Sequence, residues 1–221
     1  MVILFLFTVL VTALCLARIA GFAYPRNWTA ALVIGIWLAL TLAVAASGIL
    51  RDFTRFPPRV MLLVVSALIL TAGLAFSRVG ARLAQSTPLY WLIGYQAFRI
   101  AVEIFLAWGA HSGIVPPQMT IEGRNWDLVT GLTAIATAWL AAKGRLGRRG
   151  VFIWNCLGLG LLVNVMSIAV LSMPTPLRQW ANEPANTFIT GAPYIWLPTF
   201  LVPAALFGHL LVFRRLASQR G

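Results

Sequence analysis

Two charged residues, Arg99 and Glu103, stand four positions apart inside a long apolar run, with Gln96 on the same helical arc and Tyr95 beside it. Residues at i and i+4 are neighbours on a helix, so the spacing predicts an ion pair on one polar stripe of an otherwise apolar helix. Charges in such a run face a bundle interior, a partner or a water-filled cavity. At ~1.5 Å of rise per residue, Glu103 is expected about 10 Å below the outer end of its helix and Arg99 nearer the middle. Two chemistries fit the pair. In one, a site opens outward, Arg99 holds an anionic group and Glu103 is its counter-ion or a proton acceptor. In the other, the pair neutralises itself and locks neighbouring helices together through hydrogen bonds.

Other polar residues in apolar surroundings extend either picture. Asn164, near the middle of a later run, is a candidate partner for Arg99 or Glu103. Asn155, Gly158 and Gly160 on the same run suit close helix approach. The most polar outer stretch is Pro116–Asp127. Within it Asn125 reads as an N-cap, Asp127 as an acidic residue suited to the positive end of the following helix dipole, and Trp126 as an interfacial anchor. Glu122, Gly123 and Arg124 have no such local role, and they form a charged turn able to fold over the outer mouth as a lid. Pro193, Pro198 and Pro203 recur in the last apolar run, and each removes a backbone hydrogen bond. Broken helices of this kind line transport pathways.

Several other chemistries are excluded by count or spacing. His111 and His209 fall at opposite ends of different apolar runs, so they cannot jointly hold a haem or a metal ion. Cys15 and Cys156 have no ligand-spaced neighbours and read as small buried hydrophobes. Gly158-Leu159-Gly160 lies inside an apolar run and is no dinucleotide fingerprint. No nucleophile elbow is present for His111-Ser112. No catalytic set, metal site or cofactor is predicted.

The elements that must carry these residues are helices. Of 221 residues, 60% are apolar and 10% charged, far from the ~25% charged of a soluble domain. Apolar runs near 20 residues recur, each able to cross a ~30 Å hydrocarbon core. Breaks at Pro and Gly divide them into seven predicted spans, 2–22, 29–50, 60–76, 88–110, 127–142, 151–173 and 188–213. The predicted fold is an all-α polytopic transmembrane bundle forming one integral-membrane domain over 1–221. Met1–Tyr24 lacks a basic n-region, and its apolar run is too long for a signal peptide, so it is read as a retained first helix.

The net charge of +12 would suggest nucleic acid in a soluble protein, but the basic residues lie in short loops between apolar runs, where they set orientation and meet anionic lipid. No nucleic-acid partner is expected. Ten Lys and Arg (26, 78, 82, 143, 145, 148, 149, 214, 215, 220) fall on one side and five (51, 55, 59, 124, 178) on the other. The rule that cytoplasmic loops hold the excess places the C-terminus in the cytoplasm and the N-terminus outside. Asp52, Glu122, Asp127 and Glu183 all lie in or beside the outer loops. The near-complete use of Arg, with Lys143 alone, fits a GC-rich bacterial genome.

The runs Phe98–Ile104, Thr120–Asp127 and Trp154–Gly160 resemble segments of a family of uncharacterised bacterial multi-pass membrane proteins. Pro174–Pro176 and Tyr194–Pro198 are similar to its later segments, and the likeness covers roughly the C-terminal 130 residues. That family has no assigned activity, and the resemblance implies only a multi-pass inner-membrane location. Function is therefore expected from the polar groups. The leading expectation is a protein that binds or transports a small polar or amphipathic molecule through an outward-opening pocket of Arg99, Glu103, Gln96 and Asn164, with Glu122, Arg124 and Asp127 from the lid. Membrane lipids and an unidentified small molecule are the expected partners. The rivals are a membrane enzyme using Glu103, His111 or Asp127 on a lipid head group, and an assembly partner of another membrane protein. Ala45, Ser47 and Gly48 would serve a homo-oligomer as readily as the bundle.

Overall fold

The computed structural model describes residues 1–24 and 28–218. Arg26 and Arg220, both used above for orientation, and the predicted break at Pro25 lie outside the described residues. Among those residues the secondary structure is helical, without a strand. This is expected where water is absent, because a helix satisfies its backbone polar groups internally.

Four long helices are unbroken: α1 (Val2–Ala23), α2 (Trp28–Ala46), α3 (Arg59–Phe76) and, later, α8 (Arg148–Leu171). A short amphipathic helix, α4 (Arg78–Ser86), follows α3 and buries Gly80, Leu83 and Ala84. The predicted span 88–110 is composite: α5 (Leu89–Gly94), a 3₁₀ turn (Tyr95–Ala97) and α6 (Phe98–His111). α7 (Leu128–Ala142) is apolar and only 15 residues long. The final span is a π turn (Leu197–Leu201) running into α9 (Val202–Ser218). Six of these segments are long and apolar enough to cross a membrane.

The expected start of the last span at 188 is corrected to Leu197. Phe188–Thr190 is an isolated 3₁₀ turn, and the chain before it is held as loop by Asn186, whose N–H donates to the Ser172 carbonyl and whose amide donates to that of Ala169, both at 2.8 Å. Gly191 and Pro193 then delay helix propagation. The second span likewise ends at Ala46, earlier than 50, because Gly48 turns the chain at φ 75°.

The polarity of this bundle is inverted relative to a water-soluble one. Ile3, Phe7, Leu32, Val33, Ile69 and Leu157 are exposed, while Arg99, Asn125, Asn155 and His209 are buried. Apolar surface this extensive needs an apolar medium to cover it, and these are the helices of a membrane protein. α9 is the central post, with 67% of its span buried against 11% of α2. It packs on α3, α4, α5 and α8, while α1 packs on α6 and α5 on α7.

Pro203 shows how the bent span is supported. It has no N–H to give the Thr199 carbonyl four residues back, and the Trp37 indole donates to that carbonyl instead, at 2.9 Å. Trp196 returns the contact, donating to the Leu38 carbonyl at 3.0 Å. Trp37→Phe keeps the ring and removes the donor. It is expected to lower stability in detergent by about 1–2 kcal/mol, measurable as a lower midpoint of thermal unfolding.

At one end of the bundle Arg214 donates to the carbonyls of Ala75 and Ser77, and Arg215 to those of Ala84 and Gln85. Ala75, Ala84 and Gln85 belong to the last turns of α3 and α4, where carbonyls lack intrahelical partners and cations are favoured; the Ser77 carbonyl also accepts the Ala81 N–H at 3.0 Å.

Candidate functional site

Arg99 projects from the first turn of α6 and is 2% exposed. Its ion-pair partner is Asp127, not the expected Glu103. Nε donates to Asp127 Oδ2 at 2.6 Å, and Nη2 donates to Asp127 Oδ1 and, at 3.4 Å, to the Gly158 carbonyl. A planar guanidinium facing both oxygens of one carboxylate is the strongest form of this contact. Nη1 meets His209 Nε2 at 2.9 Å. The other ring nitrogen, Nδ1, lies 2.8 Å from Asn155 Oδ1, and the Asn155 amide nitrogen donates to the His209 carbonyl at 3.0 Å. That second bond fixes which end of Asn155 is oxygen. His209 Nδ1 therefore carries the proton, and Nε2 accepts from Arg99.

Glu103 lies one turn further along α6 and is 5% exposed. Its Oε1 accepts from the Asn125 amide at 2.7 Å, and the same nitrogen donates to the Met119 carbonyl at 3.0 Å. Asn125 Oδ1 accepts the Asp127 N–H at 3.0 Å. Asn125 thus ties together the chain entering α7 as expected of a residue before a helix, but it is Asp127 that occupies the cap position. Glu103 Oε2 has no hydrogen-bond partner among the described residues.

Close helix approach makes this arrangement possible. A Cβ on Gly158 would fall 2.7 Å from the His209 ring and 2.8 Å from the Thr130 methyl, so α8 reaches the cluster only because that position is glycine. Gly131 similarly lets α7 approach the backbone of Ile100. Gln96 donates to the Ala205 carbonyl at 3.0 Å, and Tyr95 donates to that of Ala204 at 2.6 Å. The 3₁₀ turn that carries both residues is the kind of mid-helix irregularity found near functional sites.

Beside the cluster is a partly open pocket of about 90 Å³. Arg99, Glu103 and Asp127 form its polar end; Val165, Met166, Met173, Leu197 and Leu201 are among its apolar walls. Small apolar volumes of comparable size can hold hydrocarbon rather than water.

The remaining predicted residues lie elsewhere. Asn164 donates to the Arg124 carbonyl at 2.9 Å and makes no hydrogen bond to Arg99 or Glu103. Glu122 and Arg124 line a separate groove with His111, Gln118 and Asn182, and the Arg124 guanidinium sits 5.8 Å from the Trp180 ring centre. The acid–base trio of Glu103, His111 and Asp127 is therefore divided between two pockets. The expected lid is stitched in place: Gln118 donates to Ser172 Oγ at 2.9 Å and accepts from Asn182 at 2.8 Å. Arg178 and the Ala185 N–H hold the exposed Glu183 carboxyl below the usual range, so it is ionised at neutral pH.

Asp127 belongs to the expected site, but as a lid residue and not as the partner of Arg99. Asn125 is expected only as a helix cap and His209 is considered only as a metal ligand, whereas both are part of the buried cluster. One signal was available: each of them, with Asn155, is a polar group in or beside an apolar run, and such groups need partners.

A family model described as Domain of unknown function (DUF8737) matches residues 56–217, a stretch that contains every residue of the cluster and its pocket. No curated protein and no solved structure matches the chain.

Proposed function

The chain belongs to the DUF8737 family of unknown function, and we propose, from the geometry of the pocket, that it binds or moves a small amphipathic molecule within a bacterial cytoplasmic membrane. One observation carries the proposal. An apolar pocket ends on a buried carboxyl, Glu103, which has one oxygen hydrogen-bonded to the protein and the other bare. Sites that take small molecules combine mainly apolar walls with a few placed polar groups. In this reading Glu103, held by Asn125, meets the polar end of the ligand, Arg99 and Asp127 complete the polar end of the pocket, and the apolar walls hold the hydrocarbon.

The same reading has seven crossings, the N-terminus outside and the C-terminus in the cytoplasm. In support, the α3–α4 corner and the end of α9, which carry Arg78, Arg82, Arg214 and Arg215, are joined to one another. Met119, Met173 and Ile189, from the loops assigned to the outer side, line the pocket, which supports an outward opening. α7 is the seventh crossing. Its 15 residues span only about 22 Å, and the shortfall from ~30 Å is met by burying Asn125 and Asp127 in protein.

Photolabelling with a diazirine-bearing dodecyl chain tests the proposal. Labelling of the wild type is expected on the segment that includes Val165, Met166 and Met173. Val165→Trp, which fills the pocket, is expected to reduce that labelling by about tenfold, equivalent to ~1.4 kcal/mol of binding. Equal labelling of a folded Val165→Trp protein would remove the pocket from consideration.

A further inference from the structure

The hydrogen bonds around Glu103 restrict what the pocket accepts, provided that the pocket binds a ligand as proposed above. Arg99 is the cation of the cluster, and its Nε and both terminal nitrogens already have partners in Asp127, His209 and Gly158. Its charge is balanced by Asp127 across a contact with 2% and 7% side-chain exposure. An incoming anion would have to displace Asp127 and leave a buried carboxylate unpaired. Such exchanges are strongly unfavourable in a low-dielectric interior.

At the polar end of the pocket the unmet need is for a donor. Among the described residues, Glu103 Oε2 is buried and unpartnered, and so is Gln96 Oε1. Both are acceptors. Of these two residues, Glu103 lines the pocket. An ionised Glu103 has no cation of its own, since Arg99 is balanced by Asp127. A ligand bringing a proton on nitrogen or oxygen would satisfy Oε2; a ligand bringing a second negative charge would face two carboxylates.

We infer that the pocket selects amphipathic molecules whose polar end is a hydrogen-bond donor without negative charge, a hydroxyl or an amine, seated on Glu103 Oε2. The source of selectivity is the pairing of Arg99 with Asp127, which removes the one cation that would otherwise favour acids.

Competition among three probes of equal chain length, dodecylamine, dodecanol and dodecanoate, tests this inference. Each is measured by its ability to displace the dodecyl photolabel from wild-type protein in a non-ionic detergent, after correction for partition into micelles. Dodecylamine and dodecanol are expected to compete at concentrations about tenfold or more below dodecanoate, the size expected for a hydrogen bond to a charged group. The net charge of +12 draws dodecanoate toward the protein, so the ranking runs against the overall field. A stronger effect of the amine would identify a cation on an ionised carboxylate, and a stronger effect of the alcohol a neutral donor; both support the inference.

Glu103→Gln supplies a second readout. Its amide oxygen would take the place of Oε1 and accept from Asn125, turning an NH₂ donor toward the pocket. The preference for donors is then expected to shrink by about tenfold, a ratio that a uniform loss of stability would not change. If dodecanoate matches or exceeds the other two in the wild type, the inference fails while the binding pocket stands. If none of the three displaces the photolabel, the inference and the binding reading both fail.

Discussion

Asp127→Asn is expected to destabilise the protein by about 3–5 kcal/mol, and Arg99→Met by a similar amount. Each change removes one half of a buried ion pair and leaves the other half charged, 2% exposed in the case of Arg99 and 5% in that of Asp127. The double variant, Arg99→Met with Asp127→Asn, is expected to recover most of the loss, because a neutral pair has no stranded charge. Buried pairs characteristically behave in this way: breaking them is far worse than replacing them. A double-mutant cycle on thermal or denaturant unfolding in detergent reads the coupling directly. Single variants within about 1 kcal/mol of wild type would show that the pair is solvated and holds nothing together.

Asn125→Ala is the second large effect. Asn125 is fully buried, and its side chain serves three groups: Glu103 Oε1, the Met119 carbonyl and the Asp127 N–H. Alanine leaves all three without their partner, and each buried unsatisfied group costs about 1–3 kcal/mol. A loss of about 3 kcal/mol or more is expected, accompanied by loss of photolabelling, since Glu103 would no longer be held at the polar end of the pocket. Asn164→Ala is the control. It removes one bond, to the Arg124 carbonyl, in an exposed setting, and a change below about 1 kcal/mol is expected. Equal effects from the two asparagines would contradict the geometry around Glu103.

The helices were readable because their signal is one of length. Val2–Ala23, Arg59–Phe76 and Arg148–Leu171 follow from apolar runs too long for anything but a spanning helix, and their ends fall within a few residues of expectation. Irregular stretches were less readable. Pro198 and Pro203 announce a bend, yet the same prolines are compatible with a helix beginning at 188 or at 197. The difference lies in Asn186, whose bonds to Ala169 and Ser172 keep the preceding chain out of the helix.

The site was legible in its residues and not in its pairings. Arg99, Glu103 and Gln96 stand out because polar groups are conspicuous in an apolar run. Local spacing then favours Glu103 as the partner of Arg99, whereas the structure pairs Arg99 with Asp127, 28 positions away. No periodicity encodes that contact. It depends on Gly131 letting α7 approach α6 and on Gly158 letting α8 approach His209. Asp127 satisfied a local rule at a helix start, and that sufficient explanation concealed its tertiary role. Asn164 shows the converse: a polar residue mid-helix whose hydrogen bond goes to a loop carbonyl instead of to the cluster.

Native mass spectrometry after gentle extraction tests most directly whether the pocket ending on Glu103 holds a ligand. A stoichiometric small-molecule adduct is expected on the wild-type chain, beyond bulk lipid and detergent, and it is expected to disappear in Val165→Trp while the protein remains folded. A bare mass for the wild type, or an adduct that survives intact in Val165→Trp, would contradict the proposal.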